Sequence, residues 1–102
     1  MYKIEYRSAV YRDLEELVTY LCNELQAHGA ADRFLHALDK TAARIAEHPY
    51  MYKVYEPVLE IAEEYRVAPI SGFVLFYTVN EQTKTASFCR VLYGRRDFDR
   101  LL

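Results

Sequence analysis

The spacing of hydrophobic positions changes several times along the chain, and each change predicts a new element of secondary structure. Residues 2–7 alternate between apolar and charged side chains, which predicts a short first strand. From Val10 to Leu25 the apolar residues recur every three or four positions, which predicts an amphipathic helix. Ser8 directly precedes this pattern, so we expect its hydroxyl to cap the helix N-terminus.

A second helical pattern follows the first after a single glycine. Gly29 is placed to end the first helix in a left-handed turn, and apolar residues then recur at helical spacing from Ala31 until Pro49. The two helices are therefore predicted to form an antiparallel hairpin. Residues 50–63 show no clean period and contain Pro57, and their structure is left unassigned.

Strand patterns return in the second half of the chain. Three runs, at 65–70, 73–79 and 85–93, are rich in β-branched and aromatic residues. Ser71 and Gly72 separate the first two runs, and glycine permits the positive φ of a tight hairpin turn. Residues 80–84 provide a second turn, so the three runs predict an antiparallel meander.

The middle run, 73–79, is apolar on both faces, which is typical of an interior strand covered on each side. The helix hairpin can cover one face only. The other face is left for the C-terminal segment, for residues 50–63, or for a partner protein. The predicted fold class is α+β: a short N-terminal strand, an antiparallel helix hairpin and a three-stranded antiparallel meander forming one small curved sheet.

The length and composition agree with one folded domain spanning residues 1–102. The chain has 102 residues, of which 52% are hydrophobic and 27% charged, as in globular proteins. No apolar run approaches the roughly 18 residues of a membrane span, and the N-terminus lacks the apolar block of a secretory signal. We therefore expect a cytoplasmic protein in which Cys22 and Cys89 are buried free thiols.

The net charge of −2 conceals an asymmetry between the two parts of the chain. Residues 1–64 carry seven Lys and Arg against twelve Asp and Glu, whereas residues 65–102 carry six against three. The second part can attract an acidic peptide, a phosphate backbone or an acidic protein surface. Its excess of three positive charges is small beside the basic patches of dedicated nucleic-acid binders.

The candidate functional residues are the basic and aromatic side chains of this second part. If Arg66 and Arg90 share one face of the sheet, they form a small cationic patch with Tyr93. The alternatives are a solvated terminal surface and, for Arg90, a structural ion pair with Asp97 or Asp99. The full candidate set is Arg66, Arg90, Tyr93, Arg95, Arg96 and Arg100.

Catalytic chemistry has few candidates here. Cleavage of RNA by its own 2′-hydroxyl needs a base, an acid and cations for the phosphorane. The histidines, His28, His36 and His48, lie in or beside the helix hairpin rather than near the arginines. Tyr93, with an ordinary pKa of about 10, suits an acid or a stacking platform better than a base. Asp32 and His36 have metal-ligand spacing but no third ligand, so no metal site is expected.

Three segments resemble the RelE/ParE superfamily of toxins from bacterial toxin–antitoxin systems. They are SAVYRDLEELVTYL at 8–21, YRVAPISGFVLFYTV at 65–79 and RVLYGRRDFDRLL at 90–102. The resemblance implies either a ribosome-dependent endoribonuclease that cleaves mRNA, as in RelE-like members, or a poison of DNA gyrase, as in ParE-like members. Either kind is held inactive by an antitoxin.

Comparison with the two branches favours the ParE-like one. The arginine that steadies the scissile phosphate in RelE-like sequences falls on Val74, and two alternate basic positions fall on Arg66 and Ala68. ParE-like sequences tend to have an aliphatic residue at the position of Val74. They also end in an Arg-Val-Leu-His-Gly-Arg-Arg-Asp style segment, in which this chain has Tyr93 at the histidine.

The resemblance therefore implies a toxin that binds DNA gyrase, has no cofactor, pairs with a cognate antitoxin and contacts operator DNA only through that antitoxin. The six candidate residues would bind the target or the antitoxin, whose segment is expected to carry apolar residues flanked by acids. The alternative is a ribosome-dependent mRNA endoribonuclease with Arg66, Arg90, Tyr93 and Arg95 as catalytic residues. A third possibility is a relative that retains only antitoxin binding.

Overall fold

The fold is α+β, as predicted, with two main helices packed on a four-stranded sheet. A computed structural model describes residues 1–24, 29–94 and 97–102. In chain order the elements are β1 (Lys3–Tyr6), α1 (Ser8–Thr19), a π-helical turn (Tyr20–Glu24), α2 (Ala30–Glu47), β2 (Arg66–Ile70), β3 (Phe73–Asn80), β4 (Thr85–Tyr93) and α3 (Phe98–Leu101).

The helix boundaries differ slightly from the predicted ones. Ser8 is the first residue of α1, and the capping position is Arg7, whose side chain makes no capping hydrogen bond. The prediction that Ser8 caps this helix is therefore wrong, because the capping position is one residue earlier. Gly29 adopts a left-handed backbone conformation (φ 78°) and directly precedes α2. Leu25, predicted as the last apolar position of the first helix, lies outside the described residues.

The sheet has the strand order β1-β4-β3-β2. Strands β2, β3 and β4 form the predicted antiparallel meander. Ser71 and Gly72 both have positive φ, 47° and 85°, which is the backbone geometry of a tight hairpin turn. Strand β1 joins the sheet by pairing in parallel with residues 85–88 of β4. The first and last strands of the chain are therefore neighbours.

The main core lies between the helices and one face of the sheet, here called the inner face. Tyr77 is buried in the middle of β3, and its hydroxyl donates a 2.7 Å hydrogen bond to the carbonyl oxygen of Pro49, just after α2. Burial raises the pKa of Tyr77 to about 12. Other core residues of this face are Val10, Leu17, Leu21, Phe34, Leu38, Ile45, Ala68, Ile70, Leu75, Phe88 and Val91.

The opposite, outer face of the sheet is covered by the chain itself. Helix α3 and parts of the connection at 50–63 pack on it. Of the three alternatives considered from the sequence, the C-terminal segment and residues 50–63 both contribute. Phe98 of α3 lies against Phe76 with ring centroids 4.9 Å apart, and Tyr55 lies against the same ring at 5.3 Å. The outer cluster comprises Tyr65, Phe76, Cys89 and Leu92, with Tyr55, Ile61, Val67, Val74, Phe98, Leu101 and Leu102 packed around them.

The buried carboxylate of Asp99 fastens α3 to the connection. It accepts a hydrogen bond from the Tyr55 hydroxyl and one each from the backbone N–H groups of Val58 and Leu59, both at 2.6 Å. The Tyr55 hydroxyl and the two N–H groups lower the pKa of Asp99, because they stabilise its ionised form. This carboxylate therefore joins two segments about forty residues apart in the chain.

A second carboxylate, Asp13 of α1, binds the edge of β4. Strand β1 pairs with β4 only as far as Phe88, so residues 89–93 extend beyond it. There Asp13 accepts a 3.0 Å hydrogen bond from the backbone N–H of Val91. It also accepts two 2.8 Å hydrogen bonds from the guanidinium of Arg90. Only 8% of the Asp13 side chain is exposed, so the contact by which it connects α1 to the sheet is largely buried.

The two cysteines are free, as expected, but only one of them is buried. Cys89 belongs to the outer cluster, whereas Cys22 is exposed on the π-helical turn, which corrects the prediction for that residue. Within the described ranges, no helix is both long and apolar enough to cross a membrane.

Replacement of Asp13 tests how strongly its carboxylate holds the edge of β4. Asp13→Asn is expected to lower the free energy of unfolding by about 2–3 kcal/mol, because a largely buried guanidinium loses its charged partner. Urea unfolding followed by circular dichroism measures the change. Asp97→Asn is the control, since the Asp97–Arg100 pair is 64% and 74% exposed and such surface pairs contribute about 0–1 kcal/mol. Equal effects of the two replacements would contradict the structural role of Asp13.

The lowered pKa of Asp99 predicts a pH dependence of stability. Because folding favours the ionised carboxylate, its contribution is present at neutral pH and is lost as the pH falls below about 4, toward the folded-state value. Asp99→Asn is expected to be less stable than the native chain at pH 7 and to lose less stability on acidification. Thermal unfolding of both proteins across this pH range checks the prediction, and parallel curves would contradict it.

Candidate partner-binding surface

Arg66 lies at the start of β2 and points to the inner face, where its guanidinium is held by the connection after α2. One of its nitrogen atoms donates to the carbonyl oxygen of Tyr52 at 2.7 Å. The guanidinium also lies 4.9 Å from the centroid of the Tyr50 ring, a cation–π distance. Arg66 therefore has structural partners, and its charge is partly used in holding this connection against β2.

Arg90 lies at an irregularity in the pairing of β3 and β4. Phe76 is opposite Arg90 and Tyr77 is opposite Phe88, so Cys89 is an extra residue, as in a β-bulge. Besides Asp13, Arg90 binds the carbonyl oxygen of Leu101 at 2.7 Å. The hydrogen bonds to Asp13 raise the pKa of Arg90. The expected ion pair exists, but its carboxylate is Asp13, and the predicted partners Asp97 and Asp99 are wrong.

These positions place Arg66 and Arg90 on opposite faces of the sheet. Arg66 is opposite Tyr77, which belongs to the inner core, and Arg90 is opposite Phe76, which belongs to the outer cluster. Residues paired across antiparallel strands point to the same face. The single cationic patch expected from Arg66 and Arg90 is therefore not formed.

The remaining basic candidates lie in the C-terminal segment. Arg100 is 74% exposed and makes a 2.9 Å surface ion pair with Asp97, one turn before it. Such an exposed pair holds its side chains weakly and leaves the guanidinium accessible to a partner. Arg95 and Arg96 lie outside the described residues.

Tyr93, the last residue of β4, is half exposed and lines a cleft between α1 and the end of the sheet. Its ring packs edge-on against Phe73, with centroids 5.7 Å apart, and Phe73 in turn packs on Phe34 at 5.4 Å. The cleft has a volume of about 370 Å³. It is lined by Asp13, Glu16, Leu17, Tyr20, Phe73, Val91, Leu92 and Tyr93.

The charge of this cleft is the reverse of what the sequence suggests for the C-terminal half. Its charged lining residues, among those described, are the carboxylates Asp13 and Glu16. Asp13 is neutralised by Arg90, whereas Glu16 has no ion-pair partner within the described part of the chain. Acidic and aromatic lining suits a cationic or apolar group and repels phosphate.

The sequence analysis missed the contribution of α1 to this surface, although one signal was present. Asp13 follows Val10 by three positions and precedes Leu17 by four, so it falls within the apolar stripe of the helix. A carboxylate in such a stripe requires a buried partner. Glu16 and Tyr20, by contrast, carry no sequence signal that separates them from an ordinary exposed helix face.

The histidines and potential metal ligands lie apart from the cleft. His36 is on α2 and His48 follows its last residue, and neither lines the cleft. His28 lies outside the described residues. Across residues 1–24, 29–94 and 97–102, no group of three or more His, Cys, Asp or Glu side chains is arranged to hold a metal ion.

Solved structures with a similar fold include toxins and toxin–antitoxin complexes. The RelBE2 complex from Mycobacterium tuberculosis aligns with a TM-score of 0.63 and 17% identity over 90% of this chain and 96% of that chain. The intact E. coli RelBE complex gives 0.61 and 15%, over 94% and 100% of the chains. A metal-bound toxin from Helicobacter pylori gives 0.60 and 22%, over 91% and 94%. At these identities the matches show a shared fold.

Sequence comparison is more specific about the family. A search of curated protein sequences found no significant match. A family model described as the ParE toxin of a type II toxin–antitoxin system, parDE, matches residues 4–98, which include α1, α2, the cleft and all four strands except Lys3 of β1. The chain therefore belongs to the ParE toxin family of type II toxin–antitoxin systems.

Proposed function

We propose that this toxin inhibits growth by binding DNA gyrase, without catalysis, and that a cognate antitoxin neutralises it. The observation that carries the choice against RNA cleavage is the acidic cleft beside Tyr93. Asp13 and Glu16 line the space next to the tyrosine that a ribonuclease mechanism would use. Because Arg90 neutralises Asp13, the carboxylate of Glu16 is the group that disfavours the approach of a phosphate backbone.

Two positions that are basic in RelE-like sequences, occupied here by Ala68 and Val74, support the same choice. Ala68 is fully buried in the inner core, and Val74 packs against the outer cluster. Both side chains therefore contribute to packing rather than to a solvent-facing site. Arg90 is engaged by Asp13, so it is not available to stabilise a phosphorane, which needs cations placed at the developing charge.

Action through a protein target requires accessible side chains instead of an acid–base pair. Arg100 and Tyr93 are both exposed, Arg100 on α3 over the outer face of the sheet and Tyr93 at the end of β4 toward the inner face. Tyrosine and arginine are enriched in protein interfaces. We assign target or antitoxin binding to these two residues together with Arg95 and Arg96, and a structural role to Arg66 and Arg90.

The alternative is ribosome-dependent cleavage of mRNA, with Arg66, Tyr93 and Arg95 as the catalytic residues that remain possible. One observation favours it. Arg66 is opposite Tyr77 and Tyr93 is opposite Phe73, so both point to the inner face. The two β3 residues are four positions apart, however, which corresponds to about 13 Å along a strand. A ribonuclease that used both Arg66 and Tyr93 would have to act on a substrate that reaches across this separation.

The antitoxin proposal is supported by the family and by the fold. Two of the similar structures, from M. tuberculosis and E. coli, are toxin–antitoxin complexes. In the proposed system, operator DNA is contacted only through the antitoxin, and the toxin acts in the cytoplasm, where gyrase is found. A relative that retains antitoxin binding alone is the remaining possibility.

The target is tested by adding purified protein to two reconstituted systems. With gyrase, ATP and supercoiled plasmid, we expect trapped double-strand breaks. With translating ribosomes, we expect intact mRNA. Agarose gels and primer extension measure the two outcomes. Codon-phased cuts in mRNA without plasmid breaks would favour the ribonuclease alternative, and inactivity in both systems would favour a relative that only binds antitoxin.

Replacement of Arg100 tests its assignment to the contact surface. Arg100→Ala is expected to weaken gyrase binding about tenfold, as for an interface arginine, with little loss of stability because its ion pair is exposed. Arg44→Ala, which removes an exposed arginine from the last turn of α2, is the matched control. Growth inhibition and gyrase affinity are measured beside the melting temperature. Unchanged affinity after Arg100→Ala would remove this residue from the contact surface.

Removal of Arg95 and Arg96 together tests the rest of the predicted surface. Arg95→Ala with Arg96→Ala is expected to reduce growth inhibition, while co-expression of the neighbouring antitoxin gene rescues growth of cells carrying the native toxin. Colony counts after induction measure both effects. Full toxicity of the double variant, at the same protein level, would show that these two arginines take no part.

A further inference from the structure

We propose that the cleft between α1 and the end of β4 is a binding site for an arginine side chain presented by a protein partner. The site combines two half-exposed tyrosines, Tyr20 and Tyr93, which are 45% and 50% exposed, with the carboxylate of Glu16. The proposal concerns the chemistry of the contact and rests on the proposed function only in taking the partner to be a protein.

The aromatic side chains of the cleft are held in place by their packing against one another and against the core. Tyr93 packs on Phe73 and Phe73 packs on Phe34, each with rings tilted by 71°. Phe34 is 2% exposed, so this row of rings is anchored in the core. A guanidinium binds favourably over such ring faces, and a preformed wall reduces the entropy lost on binding.

The opposite wall comes from α1 and the turn that follows it. Glu16 and Tyr20 are four positions apart, so they lie on the same side of the helix one turn from each other. Tyr20 is also the first residue of the π-helical turn, an irregularity that is frequent at functional sites. The carboxylate and the ring therefore face the same space from one side.

Charge decides which occupant fits this space. Among the described lining residues there are two carboxylates and no cationic side chain. Arg90 forms its ion pair with Asp13 and interacts with Glu16 only at longer range, so the Glu16 carboxylate can pair with an incoming cation. A guanidinium satisfies a carboxylate and stacks on aromatic rings at the same time, which an ammonium does less well. Arginine is therefore preferred over lysine.

The size of the cleft limits the ligand to a side chain and its immediate neighbour. A volume of about 370 Å³ is at the lower end of the range for ligand pockets. The methylene groups of an arginine can lie along Leu17 while the guanidinium reaches Glu16. This chemistry differs from the acid-flanked segment expected for the basic C-terminus, so the two regions would bind different parts of a partner.

The test uses the purified full-length chain and two short peptides. One is the acetylated peptide Ala-Leu-Arg-Leu-Ala, and the other has glutamine in place of the arginine. Titrations are followed by amide chemical shifts in NMR. We expect saturable binding of the arginine peptide with a Kd on the order of 1 mM, at least about fivefold tighter than the glutamine peptide. The shifts should cluster at Glu16, Tyr20, Phe73 and Tyr93.

Two variants with equal charge change decide whether Glu16 provides the carboxylate. Glu16→Gln is expected to weaken binding of the arginine peptide about fivefold, whereas Glu15→Gln, on the adjacent exposed position, should leave it unchanged. Tyr20→Leu should weaken binding by a similar factor. Equal affinity for both peptides, shifts that map elsewhere, or equal effects of Glu15→Gln and Glu16→Gln would overturn the proposal. Because no gyrase or ribosome is present, failure here is distinct from failure of the proposed function.

Discussion

The hydrogen bonds of the Asp13 carboxylate are the contact on which the rest of the structure depends. They join α1 to a part of β4 that extends beyond the neighbouring strand, where the backbone N–H of Val91 would otherwise lack a partner. The same carboxylate fixes the guanidinium of Arg90, which in turn binds the C-terminal Leu101 carbonyl oxygen. The side chain of Asp13 thereby connects α1 to β4 directly and to α3 through Arg90.

The position of each charge in the fold determines what it can do. The second part of the chain has an excess of positive charge, yet two of its arginines bind internal groups on opposite faces of the sheet. Among the described residues, the cleft at the end of β4 is acidic because α1, from the acidic part of the chain, forms one of its walls. A count of charges along the sequence therefore does not predict which charges line the described part of this cleft.

The sequence predicted the helices, the three meander strands and the Ser71–Gly72 turn, because each depends on residues close together in the chain. It did not predict the bulge at Cys89, since strict alternation places Arg90 on the wrong side. Nor did it assign residues 50–63, whose position depends on hydrogen bonds to Asp99, about forty residues away. The buried role of Asp13 was visible in the helical pattern, but its partner could be identified only from the fold.

The parallel pairing of β1 with β4 has a consequence for the order in which the chain can assemble during synthesis. Residues 3–6 leave the ribosome about eighty residues before their strand partners at 85–88. The helix hairpin can form early from local contacts, whereas the sheet is complete only after β4 has been made. Until β4 has been made, the nascent chain therefore exposes apolar helix surfaces that only the completed sheet can cover.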